Sequence, residues 1–343
     1  MKLVKLEDVC YNGSSSLSQK DIIMLEGKYP VYGASGLIKY INFYKYDKEY
    51  IAIVKDGAGI GRTMILPANS SVISTLQYIF PKENINIRYL YYALNAMDLS
   101  KYYSGVTIPH IYFKDYKKEE LYLPIIDEQI NIVNKLDKIR EIIDIRKKQI
   151  EELDEIIKSQ FVEMFGDIKS NDKNWKTKNG SELFIFSSGK SNKTSNLSSN
   201  FEYKCYGGNG ITGLSKDYLI DYDTIVIGRV GAYCGSVYTT EGKVWITDNA
   251  IYIKEFKEDY NIKFLKELFE IIDFHRFANF SGQPKITQQP LQNYSYILPP
   301  IELQNQFADI VKQIDKQKFE IQKSFEEMQK LQESLMNKYF GEY

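Results

Sequence analysis

Cysteine, histidine, tryptophan and proline are all scarce in this 343-residue chain: three Cys, two His, two Trp and nine Pro. Cys10, Cys205 and Cys234 are too few and too scattered for a disulfide framework or a cysteine-ligated zinc, and His110 and His275 are the only histidines. Reduced thiols and no metal are expected. No run approaches the roughly 18 consecutive apolar residues of a membrane span, and Met1-Lys2-Leu3-Val4-Lys5 lacks an apolar signal core. The expectation is a soluble, cytoplasmic protein with no membrane partner. Net charge is also nearly absent, at −1, which by itself argues against a strongly basic nucleic-acid binder.

What is present is a duplication. Residues 1–167 read a second time as residues 168–343, each copy ending in a charged helical stretch that closes on Phe-Gly-acid: Phe165-Gly166-Asp167 and Phe340-Gly341-Glu342. A step of 174 carries Tyr32 and Gly36 onto Tyr206 and Gly210, Gly57-Ala58 onto Gly231-Ala232, and Gly61 onto Gly235. Later the step is 175, placing Leu123-Pro124 on Leu298-Pro299, Gln129 on Gln304 and Ile139 on Ile314. One inserted residue reconciles most of both halves, so two similar cores are expected rather than one.

The low net charge conceals a division along the chain. Residues 1–124 and 168–298 carry +3 and +2, whereas residues 125–167 and 299–343 carry −4 and −2. Weakly basic modules on acidic helices suit a polyanion held by the modules, with the helices facing protein; ordinary solvated surface explains differences of this size equally well.

In residues 125–167 a seam of Leu136, Ile139, Ile143, Arg146, Ile150, Leu153, Ile157, Gln160 and Met164 alternates steps of three and four, the heptad spacing of a coiled coil. Residues 299–343 repeat it with Val311, Ile314, Lys318, Ile321, Phe325, Met328, Gln332, Leu335 and Tyr339. Polar residues in one seam fall opposite apolar ones in the repeat, as Arg146 against Ile321 and Lys318 against Ile143. Complementary flaws of this kind point to antiparallel pairing of the two helices inside one chain, with parallel self-association as the alternative. A helix of roughly 40 residues is about 60 Å long, one to two turns of duplex DNA at about 3.4 Å per base step.

The modules alternate short β-rich runs, such as Tyr50 to Val54 and Thr224 to Ile227, with Gly-rich turns. Helices follow near Tyr89 to Tyr103 and Phe264 to Ala278. The fold class is α+β: two tandem domains with β-rich cores, residues 1–124 and 168–298, each followed by a long helix, residues 125–167 and 299–343.

Several motifs carry a resemblance: Val31-Tyr32-Gly33-Ala34-Ser35-Gly36 with Cys205-Tyr206-Gly207-Gly208-Asn209-Gly210-Ile211, and Gly228-Arg229-Val230-Gly231-Ala232-Tyr233-Cys234-Gly235. To these belong Ser104-Gly105-Val106-Thr107-Ile108-Pro109-His110-Ile111, and the Leu-Pro entries into each helix at Leu123-Pro124 and Leu298-Pro299. Together they resemble the specificity subunit of type I restriction-modification systems over nearly the whole chain. The resemblance implies two target-recognition domains, each reading half of a split double-stranded DNA target, with paired helices as a ruler for the unread spacer. It also implies docking of two methyltransferase subunits and, through them, of restriction subunits. S-adenosylmethionine, ATP and Mg would belong to those partners, this chain holding no cofactor itself.

Base reading and phosphate contact need Lys, Arg, Asn, Gln, Thr or backbone N–H on reachable loops. Three loop sets supply them. Lys55 and Arg62 match Arg229 and Tyr233 about the Gly-Ala turn; Thr107 and His110 match Gln283, Lys285, Thr287 and Gln288; and the stretch of Ser187 to Lys193, with Lys190 and Lys193, pairs loosely with Asn12 to Ser16. Each residue singly also fits a solvated loop position. Ser188-Gly189-Lys190-Ser191 is no phosphate-binding P-loop, since Phe184 stands where that motif needs its first Gly. No methyltransferase or nuclease constellation recurs in both modules, so the chain reads as a non-catalytic recogniser that directs the chemistry of other subunits. A protein-binding scaffold with two modules on a rod is the alternative.

Overall fold

A computed structural model describes residues 2–105, 109–193 and 196–341. The chain forms two compact units, Met1–Lys147 with Lys323–Tyr343, and Lys148–Gln322. The cuts fall inside two 40-residue helices, Ile126–Phe165 and Ile301–Phe340. Each unit is thus one module plus part of both long helices.

In the first unit an antiparallel four-stranded sheet has the order Cys10–Ser14, Leu76–Pro81, Tyr50–Val54, Thr63–Leu66. All five residues of Tyr50–Val54 are buried, as an interior strand covered on both faces requires. Alternation sorts its side chains. Ile51 and Ile53 face a helical core with Leu90, Leu94 and Leu136, whereas Tyr50, Ala52 and Val54 face a second core with Val31, Ile41 and Val72. That second core is roofed by a three-stranded sheet, Gly36–Ile41, Tyr29–Gly33, Ser71–Val72. A two-stranded ribbon, Lys2–Lys5 with Glu120–Leu123, ties the start of the module to its end.

The second unit repeats the plan. Its main sheet runs Phe184–Ser188, Ala250–Phe256, Ile225–Gly228, Val237–Thr239, and its ribbon pairs Thr177–Asn179 with Ser295–Ile297. Its other sheet gains a fourth strand: Gly210–Ser215, Tyr203–Gly207, Lys243–Ile246, Ile220–Asp221. The hairpin glycines at the repeated Tyr-Gly-x-x-Gly turns are left-handed, φ +109° at Gly36 and +74° at Gly210, which is why that position is Gly in both copies.

The module helices start earlier and end sooner than the sequence suggests. They run Ile87–Ala96 and Ile262–Ile272 because Asn86 and Asn261 cap them, Asn86 accepting from the amides of Arg88 and Tyr89. Extended Met97 and left-handed Asp273 then break each helix, and the turns Leu99–Tyr102 and Phe274–Phe277 follow.

The direction of helix pairing follows from which ends share a core. In the first unit Ile132, Val133 and Leu136, near the start of the first long helix, pack with Phe340, Leu335 and Met336, at the end of the second. In the second unit Ile157, Phe161 and Phe165 pack with Phe307, Val311 and Ile314. The long helices therefore pair antiparallel within each unit. The seam is visible in burial: Leu136, Ile139, Ile157 and Ile314 are buried, and Ile143, Ile150, Leu153, Ile321, Phe325, Met328 and Leu335 are half-buried. Lys318, a polar seam residue, meets Asp154 at 2.5 Å.

Candidate nucleic-acid interface

Two backbone hydrogen bonds build the same loop frame in each module. In the first, Ile111 N donates to Lys55 O at 2.9 Å and Gly57 N to Pro109 O at 3.0 Å. In the second, Ile286 N donates to Arg229 O at 2.9 Å and Gly231 N to Pro284 O at 2.9 Å. The Gly-Ala turn is thereby fastened to the loop carrying His110 or Lys285, although the two loop sequences differ. Gly57, Gly61, Gly231 and Gly235 all have positive φ, so the turn keeps one backbone path in both copies.

On this frame the first module carries a charged row. Asp56 Oδ1 lies 2.6 Å from His110 Nδ1, and Asp56 Oδ2 lies 3.7 Å from Lys55 Nζ. Arg62 is exposed, and its Nη2 donates to Ala34 O at 2.7 Å, linking the Gly-Ala turn to the Tyr32–Gly36 hairpin. Thr107 lies outside the described residues.

The second module carries no carboxylate at the position of Asp56; Val230 stands there. Arg229 Nη1 lies 3.4 Å from Ser188 Oγ and 3.3 Å from Asp248 O. The Cys234 thiol reaches Arg229 O at 3.4 Å, and burial pushes that thiol up from its ordinary pKa. Tyr233 is exposed, and Gln283 sits beside Gly231. Gln288, with its amide oriented to satisfy both groups, donates to Phe186 O at 3.1 Å and accepts from Ser188 N at 3.2 Å. Arg229, Ser188, Gln283, Lys285 and Gln288 are thus gathered on one set of loops.

Lys190 and Lys193 lie on the neighbouring loop. Gly189 is Gly for a packing reason: a Cβ there would stand 2.2 Å from Thr247 O. Lys190 is pinned through its backbone, its N donating to Ile246 O and its O accepting from Trp245 Nε1 at 3.0 Å. The Lys193 side chain is exposed.

The sequence reading missed a basic cleft of about 570 Å³ in the first module, where Lys55 and Asn12 to Ser14 meet Lys82, Lys114 and Lys117. Glu7 organises it. Lys82 Nζ donates to Glu7 O at 2.7 Å, and Lys117 Nζ pairs with the Glu7 carboxylate at 2.7 Å, holding that carboxyl below its usual range. The basic run Lys114, Lys117, Lys118 was a signal for it. In the second module Gln289 and Gln292 occupy the positions of Lys114 and Lys117, so the charge is not duplicated with the frame.

A family model described as the type I restriction modification DNA specificity domain matches residues 1–155 and again residues 172–332. The chain belongs to this specificity family. Each copy of the specificity domain contains one of the two loop frames. The type I restriction enzyme EcoprrI specificity subunit of Escherichia coli is 32% identical over 113 residues, which is 33% of this chain and 28% of that relative. Among solved structures, the type I restriction-modification S subunit from M. genitalium superposes with a TM-score of 0.72 at 18% identity, covering 100% of this chain and 96% of that one. A chain from a structure addressing complex assembly and conformational transition of the type I R-M system gives 0.56 at 15% identity, covering 99% and 97%. At these identities the likeness is one of fold.

Proposed function

We propose that this chain is the DNA sequence-recognition subunit of a type I restriction-modification complex. Each module reads one half of a bipartite target in double-stranded DNA, the long helices set the unread spacer, and the chain docks two methyltransferase subunits and, through them, restriction subunits. It performs no catalysis itself; S-adenosylmethionine, ATP and Mg act in the partners. Within the modules, Lys55, Arg62, Thr107 and His110 in the first and Lys190, Lys193, Arg229, Tyr233, Gln283 and Lys285 in the second contact DNA.

The observation that carries this proposal is one loop frame built twice and dressed differently: Lys55 O and Arg229 O accept the same bond, yet Asp56 and His110 are replaced by Val230 and Lys285. A frame kept while its half-buried and exposed polar side chains change is what two readers of different sequences would need, since the backbone positions the loop and the side chains read the bases. The acidic long helices, at −4 and −2, suit protein rather than polyphosphate.

Methylation mapping in a host expressing this chain with its methyltransferase subunits tests the proposal. A split motif is expected; exchanging residues 168–298 for another module should replace one half-site, leaving the other half-site and the spacer intact. Matched insertions in both long helices should change the spacer alone. Absence of any enriched split motif overturns the proposal.

A further inference from the structure

We infer that the Asp56 and His110 pair makes the first module select an amine-bearing base, adenine or cytosine on the strand it contacts, where the second module uses Lys285 to select an acceptor. The inference rests on the half-site proposal above and names what one frame position reads in each module.

Asp56 Oδ1 stands 2.6 Å from His110 Nδ1. A carboxylate has no proton to give, so Nδ1 carries the hydrogen and, in the neutral ring, Nε2 is an acceptor. Lys55 Nζ lies 3.7 Å from the other carboxylate oxygen, Oδ2. His110 Nε2 has no hydrogen bond among the described residues, and the side chain is 35% exposed. Tyr112 flanks the ring at 6.4 Å with planes 20° apart, and the Lys114 ammonium lies over Tyr112. The charged groups about the ring are therefore Lys55, Asp56 and Lys114.

The backbone leaves this side chain little freedom to change roles. His110 and Ser104 exchange N–H to O bonds at 2.8 Å in both directions, and Gly57 N holds Pro109 O. An acceptor on such a rigid mount matches the N6 amine of adenine or the N4 amine of cytosine in the major groove, and repels the oxygens of guanine and thymine. In the second module Lys285 and Asn279 exchange the same pair of bonds, at 3.2 and 2.9 Å. Its side chain is an ammonium, which only donates, and Val230 offers it no counter-ion. It matches O6 and N7 of guanine or O4 of thymine.

The test uses the full chain co-purified with its methyltransferase subunits, methylating a library of random duplexes at about pH 8, above the ordinary imidazole range. Wild type comes first. No split motif there would overturn the half-site proposal itself, whereas the two variants test this inference alone. With the motif in hand, His110→Lys should lower the preference for adenine or cytosine at one position of the first half-site by roughly tenfold, in favour of guanine or thymine, and leave the second half-site alone. Asp56→Asn preserves shape but can donate to Nδ1, so the ring no longer holds one tautomer; the same position should lose its preference with the thermal midpoint unchanged. An even drop in methylation across all bases for both variants, with the wild-type preference retained, would mean a phosphate or structural role and overturn the inference.

Discussion

Gln129 Oε1 accepts the backbone N–H of Asn86 at 2.8 Å while its Nε2 donates to Pro124 O at 2.9 Å. One buried side chain thus joins the first turn of a long helix to the cap of the module helix and to the proline that precedes the rod. Gln304 makes the same two bonds, to Asn261 N at 3.0 Å and Pro299 O at 2.9 Å. Both glutamines are at most 1% exposed, so the orientation of each rod relative to its own module is held by a polar contact that water does not compete for.

Replacing this contact should be costly. Gln129→Leu leaves a buried carbonyl and an amide without partners, and should destabilise the first unit by about 2–4 kcal/mol. Hydrogen exchange should show the Asn86 amide losing its protection. Unchanged protection would mean that packing alone orients the helix.

Gln77 and Tyr116 form a buried hydrogen-bonded pair in the first unit where the repeat has Ile251 and Leu291. Burial pushes the Tyr116 phenol far above its ordinary value, so the pair stays neutral. Gln77→Ile alone strands the hydroxyl and should cost about 1–3 kcal/mol. Adding Tyr116→Phe should recover part of that loss. A denaturant double-mutant cycle measures the coupling, and strict additivity would count against the bond.

Glu119 gives the first unit an acid-sensitive contact. Burial pushes its carboxyl up, but Lys101 Nζ at 2.6 Å and the Tyr102 hydroxyl outweigh burial and hold it below its ordinary value of 4.5. A depressed carboxyl adds stability that is present above its unfolded value and is lost as pH falls through the folded one. Glu119→Gln should therefore flatten the decline in melting temperature below about pH 5. An unaltered decline would assign acid sensitivity to other groups.

Arg229 is held only at 3.3 to 3.4 Å by Ser188 and Asp248 O, leaving its guanidinium able to exchange those bonds for a ligand. If it contacts phosphate, Arg229→Ala should weaken DNA binding evenly across sequences and reduce the salt-dependence slope by roughly 1. If it reads guanine, selectivity at one position should relax instead, at a cost of roughly 1–3 kcal/mol. Binding unaffected in both respects would remove Arg229 from the interface.

Much of this protein was legible without coordinates. The step of 174 to 175 residues paired Gln129 with Gln304, Lys55 with Arg229 and His110 with Lys285; the side-chain bonds of the two glutamines and the backbone bonds at the other positions are the same in both units. In both long helices the residues at heptad spacing are buried or half-buried, a helical period depending only on residues three and four apart. Helix ends were less legible: the Asn86 and Asn261 caps, and the breaks at Met97 and Asp273, depend on local hydrogen bonding that periodicity does not register.

By itself, the sequence determined the duplication, the two β-rich modules, the rods with their apolar seams, and the loops whose exposed residues differ between copies. Only the tertiary structure decided which ends share a core, Leu136 with Phe340 and Phe161 with Phe307, so that each compact unit takes part of both long helices. It also decided that Asp56 meets His110, 54 positions away, and that Lys82 and Lys117 converge on Glu7. The physical reason is common to all of these. Periodicity and composition specify which face of an element must be covered, while the identity of the covering residue is settled by chain-distant packing and hydrogen bonding, which leave no regular trace along the sequence.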